Sequence, residues 1–205
     1  MADRALKKAD SRQRILEAVS RRCRRDGYAD TSVNVVMREA GLTHGGFYAH
    51  FVNKEDLFDQ AVRHATDSSG DWLEEQMQGK QGAEWIEAWV DMYLSDNHCQ
   101  NPEAGCPMPS LMPEVARAGE TASGAFTAGL DRRLGRLREH LPFETEESDR
   151  SAATAYAHMA GAVMLSRTLP DEMSASLRRD TAALVKNVLL GQSTLPTHQS
   201  TGDQS

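Results

Sequence analysis

The feature that most constrains the fold is a pair of short helical patterns separated by a glycine. Apolar residues recur at the spacing of one helix face over residues 33–40, and Gly41 then breaks the pattern. A second short pattern begins at Thr43 and ends near His50. Two short helices joined by a Gly-containing turn predict a helix-turn-helix, in which the second helix is the candidate recognition helix.

The predicted recognition helix contains two adjacent glycines, Gly45 and Gly46. Glycine inside a helix costs about 0.5 to 1 kcal/mol relative to alanine, so the pair indicates that another molecule approaches the backbone closely. Phe47 and Phe51 are four residues apart and are expected to face the core. The glycines would then let the outer face of this helix lie against the bases and sugars of a DNA major groove.

Polar side chains around this helix are predicted to contact DNA. Thr43 and His44 lie at the helix N-terminus, nearest the base edges, and Tyr48, His50 and Lys54 would contact phosphates. The complete predicted DNA-binding set is Thr31, Ser32, Thr43, His44, Gly45, Gly46, Tyr48, His50 and Lys54. The alternatives are a helix-turn-helix that serves only as scaffolding, or a chance pattern.

The charge distribution also favours a nucleic-acid partner for the first third of the chain. The net charge is −7, but residues 1–66 hold 12 Lys and Arg against 9 Asp and Glu. The remaining residues hold 11 Lys and Arg against 21 Asp and Glu. This asymmetry is typical of a basic nucleic-acid-binding segment joined to an acidic body.

The rest of the sequence is helical in pattern, with no strand signals. We expect a first helix from Asp10, as its cap, to about Arg25, a second helix capped by Thr31, and a fourth helix that opens at Lys54. Further helices are predicted near 67–78, 83–97, 108–118, 120–141, 146–169 and 172–190. The predicted organisation is a flexible basic N-terminus (1–9), a DNA-binding domain (10–66), a helical effector-binding and dimerisation domain (67–191) and a disordered tail (192–205).

The same sequence lacks the signals of export or membrane insertion. It has no run of 18 apolar residues and no signal peptide. Three cysteines, an odd number, argue against a secreted disulfide framework. We therefore expect a cytoplasmic protein with reduced thiols and no membrane partner.

Residues 11–64 closely resemble the DNA-binding domain of the TetR/AcrR family of bacterial transcription regulators. The matching features are Gly27-Tyr28, Thr31-Ser32-Val33, Ala40-Gly41-Leu42, Phe47-Tyr48, His50-Phe51 and Lys54-Glu55. The resemblance implies an all-α homodimer with two DNA-binding domains, its paired reading heads. It also implies a ligand-binding C-terminal domain and repression relieved by a small molecule. It also implies that the helices at 146–169 and 172–190 pair with their symmetry mates. Cys23 departs from the family, which usually has a large apolar residue there.

A weaker resemblance covers residues 104–119. The stretch AGCPMPSLMPEVARAG is similar to a Gly-Cys segment followed by a helix in a branch of the family that senses electrophiles or oxidants through a cysteine. Cys106 is expected at a helix start, where the helix dipole favours a thiolate, and Cys99 could resolve a sulfenic acid on it. The alternatives are an ordinary buried cysteine, a metal site that includes His98, or a Cys106-dependent enzyme.

Aromatic and methionine side chains of the C-terminal region are candidates for a ligand pocket, since helical bundles hold ligands between their helices. Most such residues are core. The predicted ligand-binding set is Trp89, Tyr93, Cys106, Met108, Met112, Phe126, Tyr156 and Met159.

These observations predict an all-α, sequence-specific DNA-binding regulator rather than an enzyme. Its partners would be a palindromic double-stranded operator, a small-molecule effector and a second copy of the chain. We expect a repressor that is released by a ligand or by cysteine modification, and no cofactor or metal. The alternative is a Cys106-dependent enzyme or a ligand-binding module with a non-functional helix-turn-helix.

Overall fold

The computed structural model describes residues 2–143 and 145–192. Within these ranges the chain is all-α, as predicted, with one 3₁₀ helix and no strand. The α-helices are α1 (Ala2–Asp26), α2 (Val33–Glu39), α3 (Lys54–Gln76), α4 (Gly82–Tyr93), α5 (Asp96–Gln100), α6 (Pro107–Val115), α7 (Glu120–Arg138), α8 (Thr145–Ser166) and α9 (Asp171–Leu189), and the 3₁₀ helix is His44–Ala49.

The N-terminal domain is built on α1, which packs against both α2 and α3. Ile15 and Val19 of α1, Val36 of α2 and Phe58 of α3 are all buried in the core that these helices share. Polar contacts also join α1 to α2. Arg22 pairs with Glu39 at 2.6 Å. The Arg14 guanidinium donates to the carbonyl of Ala40 at 2.9 Å, where a positive charge complements the C-terminal end of α2.

Two predicted helix starts were wrong. Helix α1 begins at Ala2, so residues 2–9, expected to be flexible, are helical, and Asp10 pairs with Arg14 inside the helix instead of capping it. No glycine or proline lies between Ala2 and Gly27, so no residue of low helix propensity of this kind interrupts α1. The cap of α2 is Ser32, whose hydroxyl accepts from the Val35 N–H at 3.3 Å, and not Thr31.

Helix α3 is one helix of 23 residues, although two helices were expected with a boundary at residues 66/67. Its start is capped by Asn53, which accepts from the Asp56 N–H at 2.7 Å. The polar sequence TDSSG at 66–70 has low helix propensity, which explains the predicted break. Packing overrides it, because Thr66 is buried against α7. The predicted domain boundary therefore falls inside α3.

The C-terminal region packs α4 to α9 around the second half of α3. Helices α8 and α9 run against each other, and α7 lies between α3 and α8. The region predicted as one helix at 83–97 is two helices, because α4 ends at Tyr93 and Ser95 caps α5 by accepting from the His98 N–H at 3.2 Å. The predicted disordered tail lies outside the described residues, apart from Gln192.

The outer faces of α8 and α9 expose apolar side chains. Met164 and Leu165 of α8 and Met173 and Leu184 of α9 are 37 to 57 % exposed. The opposite face of α8, which includes Ala152, Ala155 and Met159, lies in the core of the protomer. None of the helices in residues 2–143 and 145–192 combines the length and hydropathy of a bilayer-spanning segment.

The closest approach of α3 and α7 depends on Gly129. A Cβ at this position would lie 2.6 Å from Cβ of Thr66. We expect Gly129→Ala to lower the free energy of unfolding by about 1 to 3 kcal/mol, because the two helices must separate. The measurement is urea unfolding at fixed protein concentration. Gly124→Ala in the same helix is the matched control, because its Cβ would meet nothing within 4 Å, and it should be neutral or stabilising.

Candidate nucleic-acid interface and effector cavity

The candidate recognition helix is a 3₁₀ helix over His44–Ala49 and not a regular α-helix. The Gly46 N–H donates to the Thr43 carbonyl at 3.0 Å, and the His50 N–H donates to the Phe47 carbonyl at 2.9 Å. Its two glycines disfavour a longer regular helix. Phe47 and Phe51 are 2 and 3 % exposed, so both face the core as predicted.

The outward face of this helix is open. The missing side chain of Gly45 points to open space, whereas that of Gly46 faces Met37 at 3.7 Å. Only Gly45 therefore fits the role predicted for the glycine pair. Tyr48 is 70 % exposed, and Val52 beside it is 79 % exposed. Val52 was not among the residues predicted to bind DNA, and its position between Phe51 and the cap of α3 is its only signal in the sequence.

The predicted DNA-binding residues do not all reach this face. Those that are exposed are Ser32, Thr43, His44, Gly45 and Tyr48, and those that are half-buried are Gly46, His50 and Lys54. Thr31 is 2 % exposed, and its hydroxyl donates to the Gly27 carbonyl at 2.7 Å. It holds the turn after α1, so its predicted contact with DNA is wrong.

Lys54 has a structural contact besides any role at the surface. Its ammonium group lies 4.4 Å from the centroid of the Tyr28 ring and donates to the Ala29 carbonyl at 3.4 Å. The His50 ring is half-buried, and this burial, with the nearby charges of Lys8 and Arg12, lowers its pKa. A neutral His50 can donate a hydrogen bond to a phosphate but adds no charge.

The C-terminal region encloses a cavity of about 340 Å³ between α3, α4, α5, α7, α8 and the segment 101–106. Its wall includes the end of α1 through Arg24. The other lining residues are Ala65, Ser68, Ser69, Trp72, Leu73, Trp89, Met92, Tyr93, Ser95, Asn97, His98, Asn101, Ala104, Gly105, Cys106, Arg133 and Tyr156. The volume is at the lower end of the range for small-molecule sites.

Half of the predicted ligand-binding set lines this cavity. Trp89, Tyr93, Cys106 and Tyr156 are in the wall. The other predicted members are elsewhere: Met108, Phe126 and Met159 are buried core residues outside the wall, and Met112 is on the surface at 39 % exposure. Helical periodicity shows that a face is buried but not whether it meets a neighbour or a void, so it could not separate the two groups.

His98 organises the wall next to Cys106. Its Nδ1 lies 2.5 Å from the Tyr93 carbonyl, and its Nε2 accepts from the Cys106 N–H at 2.8 Å. These partners require a neutral ring with its proton on Nδ1. Burial lowers the pKa of His98 to about 4, and the charge of Arg167 adds to the effect. Gly105 packs on the same ring, since a Cβ there would lie 2.5 Å from the imidazole.

Cys106 immediately precedes α6, with Pro107 as the first helical residue. Its thiol is half-buried and lies 3.3 Å from the Tyr156 hydroxyl. Cys23 and Cys99 are 2 and 1 % exposed, and burial raises the pKa of Cys23 to about 11. Of the three thiols, Cys106 is therefore the one that a small molecule in the cavity would meet.

The residues around Cys106 are not arranged for the two alternative roles, a catalytic thiol with His98 as base and a metal ligand. Both ring nitrogens of His98 are already hydrogen-bonded, so this histidine is not placed to remove a proton from the thiol. Across the described parts of the chain, no group of three or more His, Cys, Asp or Glu side chains is arranged to hold a metal ion.

The Cys106 segment is joined directly to the DNA-binding domain. Nη1 of Arg24, near the end of α1, donates to the Gly105 carbonyl at 2.8 Å. The neighbouring Arg25 pairs with Glu103 at 3.1 Å. Arg24 was not among the predicted site residues, because an arginine in a basic helix gives no sign that it points away from DNA.

The neutral state of His98 makes the stability of the folded protein depend on pH. The unfolded chain binds a proton at this histidine near pH 6.5 and the folded chain near pH 4, so stability is complete above pH 6.5 and falls as the pH approaches 4. Lowering the pH from 7 to 5 should therefore reduce the free energy of unfolding by about 2 kcal/mol through His98. We expect His98→Gln to reduce the loss of urea stability over that interval by this amount. The exposed His158→Gln should leave the loss unchanged, and an equal loss in all three proteins would contradict the assignment.

Comparisons with known proteins agree with this arrangement. The family described as bacterial regulatory proteins, tetR family, matches residues 15–61. The HTH-type transcriptional regulator LmrA of Bacillus subtilis is 29 % identical over 113 residues, which are 54 % of this chain and 60 % of LmrA. This alignment thus spans less than two thirds of LmrA. The uncharacterized HTH-type transcriptional regulator YxaF of the same organism is 25 % identical over 80 % of this chain and 89 % of its own.

The fold is also found in solved structures. The reduced form of NemR from E. coli superposes with a TM-score of 0.74 and 21 % identity, over 88 % of this chain and 98 % of NemR. The relatives found are regulators and not enzymes, in agreement with the prediction for this chain. Residues 15–61 thus carry the DNA-binding domain of the bacterial tetR family, the described chain has the fold of NemR, and these similarities together support a DNA-binding transcriptional regulator.

Proposed function

We propose that the protein is a homodimeric repressor that binds a palindromic operator in the bacterial cytoplasm and is released when its cavity binds a small molecule or when Cys106 is modified. The observation that carries the proposal is the hydrogen bond from Arg24 to Gly105. It joins the first helix of the DNA-binding domain to the residue that precedes the cavity thiol. A change at the cavity wall can thereby alter the position of the reading head.

The apolar face of α8 and α9 supports the dimer. Met164, Leu165, Met173 and Leu184 are exposed on adjacent helices of the region that the family resemblance assigns to dimerisation. An apolar patch of this kind marks an interaction surface, and a two-fold axis through it makes the contact self-complementary. Two reading heads related by this axis would meet successive major grooves, about 34 Å apart, on a palindromic site.

The exposed surface of the 3₁₀ helix supports its role in reading DNA. His44 is the first residue of that helix, where a side chain reaches base edges, and Tyr48, the fifth of its six residues, is exposed. The open space at Gly45 lets the backbone approach the groove. Sequence preference would thus depend on His44 and Thr43, and affinity for any duplex on Tyr48.

The decisive test is fluorescence anisotropy with the DNA upstream of the protein's own gene and with a scrambled duplex, at physiological salt. We expect at least a hundredfold preference for the upstream DNA. Tyr48→Ala should weaken binding to both duplexes by about tenfold, whereas His44→Ala should reduce the ratio between them. Glu87→Ala, an exposed change in α4, is the control. Equal, weak binding of both duplexes by the unmodified protein would contradict the proposal.

Release through Cys106 has a separate test with iodoacetamide, whose carbon forms a bond to Sγ as iodide leaves. We expect alkylation to weaken operator binding by about tenfold or more, because the added group displaces the wall near Tyr156 and Gly105. Cys106→Ser keeps Cys23 and Cys99 and should be insensitive to the reagent. Arg24→Met should bind the operator and be alkylated at Cys106, but lose much of the response. A full response in Cys106→Ser would show that another group is the target.

A further inference from the structure

The cavity has a charge opposite to that of the protein around it. The chain carries 30 Asp and Glu against 23 Lys and Arg, for a net charge of −7. The cavity wall nevertheless contains two arginines, Arg24 and Arg133, and neither Asp nor Glu. No ion pair joins either arginine to a carboxylate among the described residues. The charge of the wall is therefore positive in a chain whose net charge is negative, and a ligand held there meets cationic and not anionic side chains.

Arg133 is the stronger of the two positive groups because it is deeply buried. Only 8 % of the residue is exposed. Its Nη1 donates to the Gly129 carbonyl at 3.2 Å, and its Nη2 donates to the Thr66 carbonyl at 3.3 Å and to the Ser69 hydroxyl. All three acceptors are neutral, so the guanidinium is hydrogen-bonded but its charge is not compensated. A buried charge of this kind is stabilised by an opposite charge at close range.

The walls beside Arg133 suit a flat ring. Trp89 and Tyr156 lie with ring centroids 6.1 Å apart and an interplanar angle of 25°. Tyr93 meets Tyr156 edge-on at 5.7 Å. The Tyr93 hydroxyl is buried next to the Tyr156 hydroxyl and the Cys106 thiol, and it makes no hydrogen bond of good geometry to either of them. Burial raises the pKa of Tyr93 and of Tyr156 well above the usual value, so both phenols remain protonated and can donate.

We propose that the effector is a planar aromatic carboxylate, with its anionic group paired to Arg133 and its ring against Trp89 and Tyr156. The Tyr93 hydroxyl donates a further hydrogen bond to a polar group of the ligand. The absence of Asp and Glu from the wall excludes cationic ligands by leaving their charge unpaired. This inference rests on the proposed function, because it specifies the class of molecule that the regulator senses.

The test uses three ligands of one shape and different charge: 2-naphthoate, 2-naphthamide and 2-naphthylmethylammonium. Each has roughly 12 or 13 non-hydrogen atoms, a size suited to a small cavity of this class. Binding to the full chain is measured by calorimetry at pH 7.5. We expect naphthoate to bind at least tenfold more tightly than the amide, and the ammonium ion to show no binding. Equal binding of the amide, stronger binding of the ammonium ion, or no binding of naphthoate at millimolar concentration would overturn the proposal.

Two substitutions locate the anionic group. Arg133→Met should remove the preference for naphthoate over naphthamide, and Arg133→Lys should retain part of it because the charge is kept. Thermal unfolding of both variants checks that the contacts to α3 survive. Comparison of the three ligands on the unmodified protein decides the charge preference even if a variant fails to fold. A preference for naphthoate that persists in folded Arg133→Met would overturn the assignment to Arg133.

Operator binding separates this inference from the function on which it rests. If the protein binds its operator specifically but the three ligands bind alike, the proposed ligand class is wrong and the proposed repressor function is unaffected. If naphthoate binds selectively and leaves specific operator affinity unchanged, the cavity is an anion site and ligand-induced release is wrong. Selective naphthoate binding that weakens operator binding by tenfold or more supports both.

Discussion

The two hydrogen bonds of His98 are the contacts on which the geometry of the cavity depends. The imidazole receives the Cys106 N–H and lies against the Tyr93 carbonyl, so it ties the end of α4 to the start of α6. Gly105 packs on the ring with no room for a side chain. The position of the thiol, and of the carbonyl that Arg24 contacts, follows from this one neutral ring. Ring protonation would replace the Nε2 acceptor with a donor, which cannot receive the Cys106 N–H.

The cavity and the reading head are thus neighbours in the fold, although they are distant in the sequence. Arg24 precedes Gly105 by 81 positions, and a single guanidinium spans the gap. The same group contributes positive charge to a cavity that contains no carboxylate. An anion paired with Arg133 would lie in the same cavity as Arg24, so its charge and the Gly105 carbonyl would both attract the Arg24 side chain. This shared residue gives a physical reason for coupling between ligand and DNA that does not require a long chain of intervening contacts.

The sequence was most informative where local pattern determines structure. The apolar periods predicted an all-α fold and the positions of most helices, and the residues around Gly41 predicted the helix-turn-helix. It was least informative where distant residues meet. Nothing local indicates that Arg24 and Arg133 share a cavity, or that Thr31 is turned inward to Gly27. The break expected after Thr66 also failed for this reason, because contact with Gly129 outweighs a weak local preference.

The continuity of α3 has a mechanical consequence. Its first turn follows the recognition helix, and its fourth and fifth turns carry Ala65, Ser68 and Ser69 in the cavity wall. A helix of 23 residues is about 34 Å long and behaves as a stiff rod. A tilt of about 5° about Ser69, which lies about 22 Å along the axis from Lys54, would displace the first turn by about 2 Å, comparable with the H···O distance of a hydrogen bond. A ligand that moves the cavity wall only slightly can thus take a reading head out of register with its groove.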